Sequence, residues 1–443
     1  MLLTTSSNVR MSPTLLTVLT GAVGITVLPL FAAQPLVGLI GPSLGLSLAL
    51  AGLMPTLPLL GYAVGLILFV PLIDLFESRT IILWTLGLDV CALVLIACAP
   101  TPLLFLLAAF AVGVATSSIQ MLIPVAAAMT PEHLRGRTIG TLMSGLMIGI
   151  LLSRPLASLV ASELGWRASY VLDAAALAGV ALTLLVLLPR HQPATKGSYD
   201  ALVRSLRRLL AEEPLLRRRA LYQALCMAAF SSFWTAIALR LAASPFDLTQ
   251  IGIGLFALAG AGGAVVSPIA GRAGDRGLTV AATRLSHLTA IGALVLAGIA
   301  GAGWFGFDAA NHGRLGLGLL AVAAFALDLG VVGDQTLGRR VINMLRPEAR
   351  GRINGLFTGL FFVGSATGSA LSGVAWSVSG WSAVCWLGLF FTTVAFLLSW
   401  QRQGASEEAP CLTLNRLTPY ARMSRAGVPP PGRRQPRPAA PAP

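Results

Sequence analysis

The chain has 443 residues, of which 56% are hydrophobic and 11% are charged, and its mean hydropathy is +0.80. This composition excludes a water-soluble globular fold, because so few polar side chains cannot cover the surface of a chain this long. The formal net charge is +14. The basic residues lie between long apolar runs, so they indicate membrane topology and contact with lipid headgroups, and not nucleic acid as a partner.

Twelve apolar runs predict an all-α membrane protein with twelve transmembrane helices, since a helix needs about 20 apolar residues to cross the bilayer core. The runs cover about 14–34, 48–71, 80–99, 102–129, 138–161, 168–189, 220–241, 250–270, 279–300, 315–337, 353–375 and 382–400. The predicted domains are a cytoplasmic N-terminus (1–13), a six-helix bundle (14–189), a cytoplasmic linker with an amphipathic helix (190–219), a second six-helix bundle (220–400) and a disordered tail rich in Pro and Arg (401–443).

The placement of the basic residues predicts the orientation. Of the 31 Lys and Arg residues, four fall outside the segments that share one side with the N-terminus: Arg154, Arg167, Arg240 and Arg314. Positive residues stay on the cytoplasmic side, so both termini are expected in the cytoplasm of a bacterial cell with the chain in the plasma (inner) membrane. The first run leads directly into the second, which favours an uncleaved first helix over a signal peptide.

A repeat about half the chain long indicates that the two bundles are pseudo-symmetric. The stretch from Pro131 to Trp166 recurs from Pro347 to Trp381, and each copy is a basic turn, an apolar run and a Gly-Trp pair. At a register of 215 residues, the repeat pairs Arg137 with Arg352, Gly149 with Gly364 and Trp166 with Trp381.

A second repeated element carries a family resemblance. The loop between the second and third runs holds Asp74 and Arg79, and the loop between the eighth and ninth holds Gly271, Asp275 and Arg276. This Gly-x-x-x-Asp-Arg loop resembles the signature of the major facilitator superfamily. The first copy departs from the pattern, with Val70, Leu75 and Glu77 where the family has Gly, Arg and Gly.

Further pieces resemble a bacterial branch of that family, the arabinose-efflux-permease-like and drug–proton antiporter group. They include Gln34-Pro35, Arg154-Pro155 and Leu327-Asp328. The resemblance covers about residues 14–400 and implies two six-helix bundles that rock about a central cavity between inward-open and outward-open states. The Gly-Pro usual in the fifth helix of the antiporters is Arg154-Pro155 here.

The resemblance also implies a cytoplasmic gate, in which the loop aspartate pairs with an arginine of a neighbouring helix when the transporter faces outward. The expected pairs are Asp74 with Arg137 and Asp275 with Arg352. The alternative is that the arginines only enforce topology. The gate candidates are Asp74, Arg79, Arg135, Arg137, Asp275, Arg276, Arg350 and Arg352.

Ionisable residues inside apolar runs are costly unless they are paired or face water, so each is a functional candidate. Arg154 could bind an anionic or polar substrate group or pair with a carboxylate that cycles protons, or it could hold helices together in an ion pair. Asp328, near the middle of the tenth run, is a candidate proton carrier. Asp334 is either a second proton site or a partner for Arg339 or Arg340.

Several uncharged residues complete the predicted pathway. Gln34 and Gln120 could hydrogen-bond substrate or join helices. Gln335 follows Asp328 by seven residues and shares its helix face, whereas Asp334 is rotated away. Trp234 could line the cavity or anchor the helix at the membrane interface.

The sequence lacks the motifs of an enzyme or a nucleotide-driven pump. It has no nucleophile motif, no phosphate-binding loop and no dinucleotide fingerprint, and its five cysteines have neither paired spacing nor metal-ligand partners. We therefore predict no cofactor, no metal and no enzymatic activity. The expected function is monomeric secondary transport, with export of a small organic molecule in exchange for protons. The alternatives are uptake by proton symport and, outside transport, a membrane enzyme or receptor.

Overall fold

Long apolar helices follow one another along the chain, joined by short loops. The computed structural model describes residues 11–189, 198–308, 311–346 and 349–400, and these contain no β-strand. Eleven helical segments are long and apolar enough to cross a membrane: Pro13–Ser43, Ala49–Ile73, Ser78–Ala97, Pro102–Ala128, Glu132–Leu164, Trp166–Leu187, Pro214–Ala242, Gln250–Asp275, Thr279–Ala302, Gly313–Ile342 and Arg350–Trp400.

The last of these segments contains two spans. Its 51 residues would extend about 76 Å at 1.5 Å per residue, which is more than twice the thickness of a bilayer core. The backbone leaves the helical conformation at Ser379 and at Gly380, where φ is +57°, a value that glycine adopts without strain. The eleventh span is therefore 350–378 and the twelfth is 381–400, so the prediction of twelve transmembrane helices is confirmed.

The first and eighth spans are broken near their middle, and the sequence explains why. The first span consists of Pro13–Thr26 and Leu28–Ser43, with the break two residues before Pro29, which has no N–H to continue the helix. The eighth span contains a 3₁₀ turn, Ala257–Ala261, in which Gly260 is non-helical. Irregular backbone at membrane depth is tolerated where it lines a cavity, and both breaks border the cavity described below.

The two halves use the same helix packing, at the register of the sequence repeat. A Cβ atom added to Gly149 in the fifth span would lie 2.3 Å from the carbonyl oxygen of Gly24 in the first span. A Cβ atom added to Gly364 in the eleventh span would lie 2.1 Å from the carbonyl oxygen of Ala224 in the seventh. In both halves, small residues let the backbones of two helices touch.

The segment between the halves contains the amphipathic linker helix, Tyr199–Glu212. Leu206 and Leu209 are buried, and the basic residues Arg204, Arg207 and Arg208 are exposed. The end of the linker is held by Arg346, which forms ion pairs with Glu212 (3.1 Å) and Glu213 (2.6 Å). The predicted disordered tail, 401–443, lies outside the described residues.

Candidate functional site

A central cavity of about 190 Å³ lies where the two halves face each other. Its lining comes from the first, second, fourth and fifth spans of the first half and from the seventh, eighth, tenth and eleventh spans of the second. The wall is mostly apolar, with methionines and phenylalanines from both halves. Its polar members are Tyr62, Gln120, Arg154, Asp328, Gln335, Arg339 and Thr358. Four predicted site residues, Gln120, Arg154, Asp328 and Gln335, are thus brought together.

Arg154 is buried in the cavity wall and held on two sides. Its Nε donates a hydrogen bond to Oε1 of Gln34, at 2.7 Å. Its guanidinium carbon lies 4.6 Å from the ring centre of Trp234 and 5.2 Å from that of Phe31, distances typical of cation–π contacts. Among the described residues, its terminal Nη2 has no hydrogen-bond partner. The side chain is therefore fixed in position with a donor left over.

Trp234 connects Arg154 to Asp328. The indole Nε1 donates to Oδ1 of Asp328 at 3.3 Å, while the face of the same ring carries the Arg154 guanidinium. Arg154 belongs to the first half, and Trp234 and Asp328 belong to the second. Gln34 and Trp234 do not line the cavity. They lie behind the lining residues, where Gln34 contacts Arg154 and Trp234 contacts both Arg154 and Asp328.

One face of the tenth span contributes a row of lining residues, which are Asp328, Val331, Val332, Gln335 and Arg339. Their spacing of three or four residues places them along one side of a helix. The sequence predicts Arg339 only as a partner for Asp334, and not as a cavity residue. It follows Gln335 by four residues, and this spacing places it on the same face of the helix.

A second missed residue is Tyr62, in the second span. It lines the cavity, and Nε2 of Gln120 lies 3.4 Å from its hydroxyl oxygen and donates to it. An isolated tyrosine in an apolar run carries no periodic signal, so the sequence did not distinguish it from a packing residue.

Asp334 lies on the other side of the tenth span and does not line the central cavity, so its place in a proton pathway stays a prediction. Six residues after Asp328, it is turned away from the cavity by the helical period. Its Oδ1 is 3.8 Å from Nη1 of Arg219 and 3.6 Å from Nε2 of His287. These partners replace the expected Arg339 or Arg340.

The same cluster corrects the statement that the cysteines have no metal-ligand partners. The ligand atoms of Cys226, His287 and Asp334 all lie within 4.8 Å of one another. Three different spans contribute them, so no sequence spacing could reveal the group. A divalent cation there would sit beside the Arg219 guanidinium, whose positive charge opposes its binding.

The predicted gate pair Asp275–Arg352 is not formed in this structure. Asp275 accepts a hydrogen bond from Nε of Arg340 at 3.1 Å, and Arg352 donates to the Ser205 hydroxyl of the linker helix at 2.9 Å. Asp275 ends the eighth span beside the end of the tenth, whereas Arg352 faces the linker. The side chain of Asp74 lies outside the described residues, so its pairing with Arg137 stays a prediction; Arg137 and Arg276 are exposed.

The remaining gate arginines bind helix-end carbonyl groups. Arg79 donates to the carbonyl oxygen of Leu185. Nε of Arg135 donates to the carbonyl oxygen of Thr130 at 3.2 Å, and Nε of Arg350 donates to that of Asn343 at 3.0 Å. The carbonyl groups at helix C-termini lack intrahelical partners, which these arginines supply.

Three hydrogen bonds between the two halves lie toward the end of the molecule away from the basic loops. Nε2 of Gln250 donates to the carbonyl oxygen of Pro35 (3.0 Å) and to the hydroxyl of Ser158 (3.1 Å). The Ser369 hydroxyl donates to the carbonyl oxygen of Gly52 at 3.4 Å. From Arg154, the cavity extends in the opposite direction, toward Arg339 and the basic-loop end.

Comparison with known proteins identifies this architecture. A family model described as the Major Facilitator Superfamily matches residues 15–327. The chain belongs to the major facilitator superfamily. It is 35% identical to the uncharacterized transporter YgaY of Escherichia coli K12 over 397 residues, which covers 90% of this chain and 98% of YgaY.

Two further similarities agree with membership of the superfamily. The chain is 29% identical to the probable transporter SCO4007 of Streptomyces coelicolor over 388 residues, with 84% of each protein covered. Among solved structures, a bacterial homologue of the human lysosomal transporter Spinster, inward-facing and unoccupied, has a TM-score of 0.65 at 16% identity. That match covers 90% of this chain and 97% of the other. The protein is thus a multi-pass membrane transporter of the major facilitator superfamily.

Proposed function

We propose that this transporter couples the movement of a small organic molecule to protons by alternating access through the central cavity. The observation that carries the proposal is the contact of Arg154 and Asp328 with one ring, Trp234. Because Arg154 belongs to the first half and the other two to the second, rocking of the halves changes their spacing. The protonation state of Asp328, the binding of substrate in the cavity and the conformation of the transporter are therefore linked.

Asp328 is the proposed proton carrier. It is 5% exposed, lines the cavity and is a carboxylate at membrane depth, where an ionised group is costly without a partner. Protonation removes that cost, and the approach of Arg154 opposes protonation. A change in the distance between these two groups would therefore load or release a proton.

Two coupling schemes fit this site. Export in exchange for protons is implied by the resemblance to drug–proton antiporters, and it requires substrate and proton to compete for the cavity. Uptake together with protons is the second scheme, and the cavity's excess of arginine favours it. In both schemes the basic loops are proposed to face the cytoplasm of a bacterial cell, with the protein in the inner membrane. One chain supplies both cavity walls, so a monomer suffices.

Purified protein in liposomes with an imposed pH gradient tests the proposal, with a panel of labelled organic anions, cations, sugars and nucleosides. We expect the gradient to drive transport of at least one class, and Asp328→Asn to lose the response to the gradient. Asp247→Asn is the matched control, because Asp247 is an exposed loop residue with φ of +46°, a conformation that asparagine tolerates. Gradient-driven transport that survives in Asp328→Asn would contradict the proposal.

A further inference from the structure

We infer that the substrate is an organic anion with an apolar body, that its anionic group binds Arg154, and that it occupies the cavity together with a proton on Asp328. The inference rests on the proposed transport function and names the substrate class and the sign of the coupling. It selects co-transport with protons from the two schemes.

The lining of the cavity carries a net positive charge. Its described lining has two guanidinium groups, those of Arg154 and Arg339, against one carboxylate, that of Asp328. Arginine stays protonated at all physiological pH values, so the lining is positive whether Asp328 is ionised or not. Because Arg154 and Asp328 are buried, this excess attracts an anion and repels a cation.

The hydrogen bonds of Arg154 leave one of its donors available to an anion. Gln34 occupies its Nε, and the rings of Phe31 and Trp234 hold its guanidinium plane. Its Nη2 lacks a partner among the described residues, as does Nε2 of Gln34. A buried donor without a partner is costly, and a carboxylate or another planar oxyanion would satisfy it with a charge-assisted bond.

The rest of the lining suits an apolar body. Met143, Met147 and Met227 supply flexible thioethers, and Phe230 and Phe361 supply ring faces. Methionine side chains adapt to ligands of different shape. With a cavity of about 190 Å³, the favoured ligand is a compact amphipathic monoanion.

The position of Asp328 determines whether the anion and the proton bind together or compete. Ionised Asp328, which contacts the same Trp234 ring as Arg154, partly neutralises Arg154 and repels an incoming anion. Protonated Asp328 does neither. Binding of the anion and of the proton therefore reinforce each other, and by linkage each raises the affinity for the other by the same factor. Both then cross the membrane in one direction.

The neighbours of Asp328 leave this sign unchanged. The eighth span presents Gly260 and Gly262 to it, and the seventh presents the uncharged Trp234. Arg339 and Tyr62 lie further along the cavity, and their charges are either positive or absent near neutral pH. The titratable groups around Asp334, which are Arg219, Cys226 and His287, contact the other side of the tenth span.

Binding to the purified transporter in detergent tests the inference without any gradient. The probes are aromatic and alkyl carboxylates, each with the amine and the alcohol of the same carbon skeleton, and the readouts are Kd and ligand-induced thermal stabilisation. We expect the carboxylate to bind most tightly in at least one set and Arg154→Gln to weaken it about tenfold or more, with partial rescue by Arg154→Lys. Tighter binding of the amine, no preference in any set, or full binding in Arg154→Gln would overturn the anion site.

The pH dependence tests the coupling separately. We expect the carboxylate to bind about fivefold or more tightly at pH 5.5 than at pH 8, and Asp328→Asn to bind it tightly at both pH values. This measurement uses the wild type and Asp328→Asn, so it tests the coupling even if Arg154→Gln does not fold. Binding that weakens as pH falls would overturn the coupling sign. If carboxylate binding behaves as expected but no pH gradient drives transport in liposomes, the proposed proton coupling fails while the anion site stands.

Discussion

The two halves of the molecule share one packing scheme and differ in chemistry at equivalent positions. The fifth span rests on the first, and the eleventh on the seventh, through the same kind of glycine contact. At the position 215 residues after Arg154 stands Ser369. Arg154 faces the cavity and binds Gln34, whereas the hydroxyl of Ser369 pairs with that of Thr235 at 2.9 Å.

This difference shows which features of a repeat are constrained by the fold. Backbone contact between helices tolerates only small residues, so glycines remain at matching places in both halves. A polar side chain at the same depth is constrained by what it touches, and the two sites touch different things. The first half supplies Arg154 to the cavity, and the second half supplies Asp328, Arg339 and the indole of Trp234.

Replacing the paired glycines has the largest expected effect. Gly149→Leu and Gly364→Leu each place a side chain against a backbone carbonyl 2.1–2.3 Å from the new Cβ, and two helix backbones must separate to admit it. We expect almost no folded protein from either variant in size-exclusion chromatography of detergent extracts.

The control for the glycine variants is Gly140→Leu in the same fifth span, since no described atom outside its helix lies within 4 Å of an added Cβ. That variant is expected to fold. If one of the two paired glycines tolerated leucine, the packing of the halves would not be equivalent.

The buried ion pair of the second half gives the next effect. Asp334→Asn removes a negative charge beside Arg219, and both side chains are almost completely buried. Breaking such a pair costs about 3–5 kcal/mol, so we expect a fall of that size in the free energy of unfolding, measured by denaturant titration in mixed micelles. The double variant Arg219→Gln with Asp334→Asn should recover part of the loss. A single variant as stable as the wild type would show that this charge cluster does not stabilise the second half.

The linker contact has the smallest expected effect, because its charges are exposed and screened by salt. Arg208 and Arg346 hold the pKa of Glu212 below its usual range. A lowered pKa means that the contact contributes at neutral pH and is lost as pH falls through that pKa. We expect Arg346→Gln to raise hydrogen exchange in residues 199–212 at neutral pH.

The same exchange measurement, corrected for the intrinsic effect of pH, should show wild-type exchange rising in acid more than that of Arg346→Gln. Arg207→Gln is the matched control on the exposed side of the linker helix and should leave exchange unchanged. Equal exchange in wild type and Arg346→Gln would show that the linker is held to the second half by other contacts.

The sequence by itself determined the transmembrane architecture and part of the cavity. Each span must be long and apolar to cross a bilayer, so the twelve runs could be read directly. The pseudo-symmetry followed from the 215-residue register. Asp328 and Gln335 could be placed on one face of the tenth span because the helical period operates within a single element.

Only the tertiary structure decided which residues of different spans meet. It brought Arg154 and Asp328 to Trp234, gathered Cys226 and His287 around Asp334, and paired Asp275 with Arg340 and not Arg352. These contacts depend on how each helix is rotated and where it crosses its neighbours. A long apolar span has few polar residues to indicate which of its faces points inward, so its rotation is set by the packing of all the helices together.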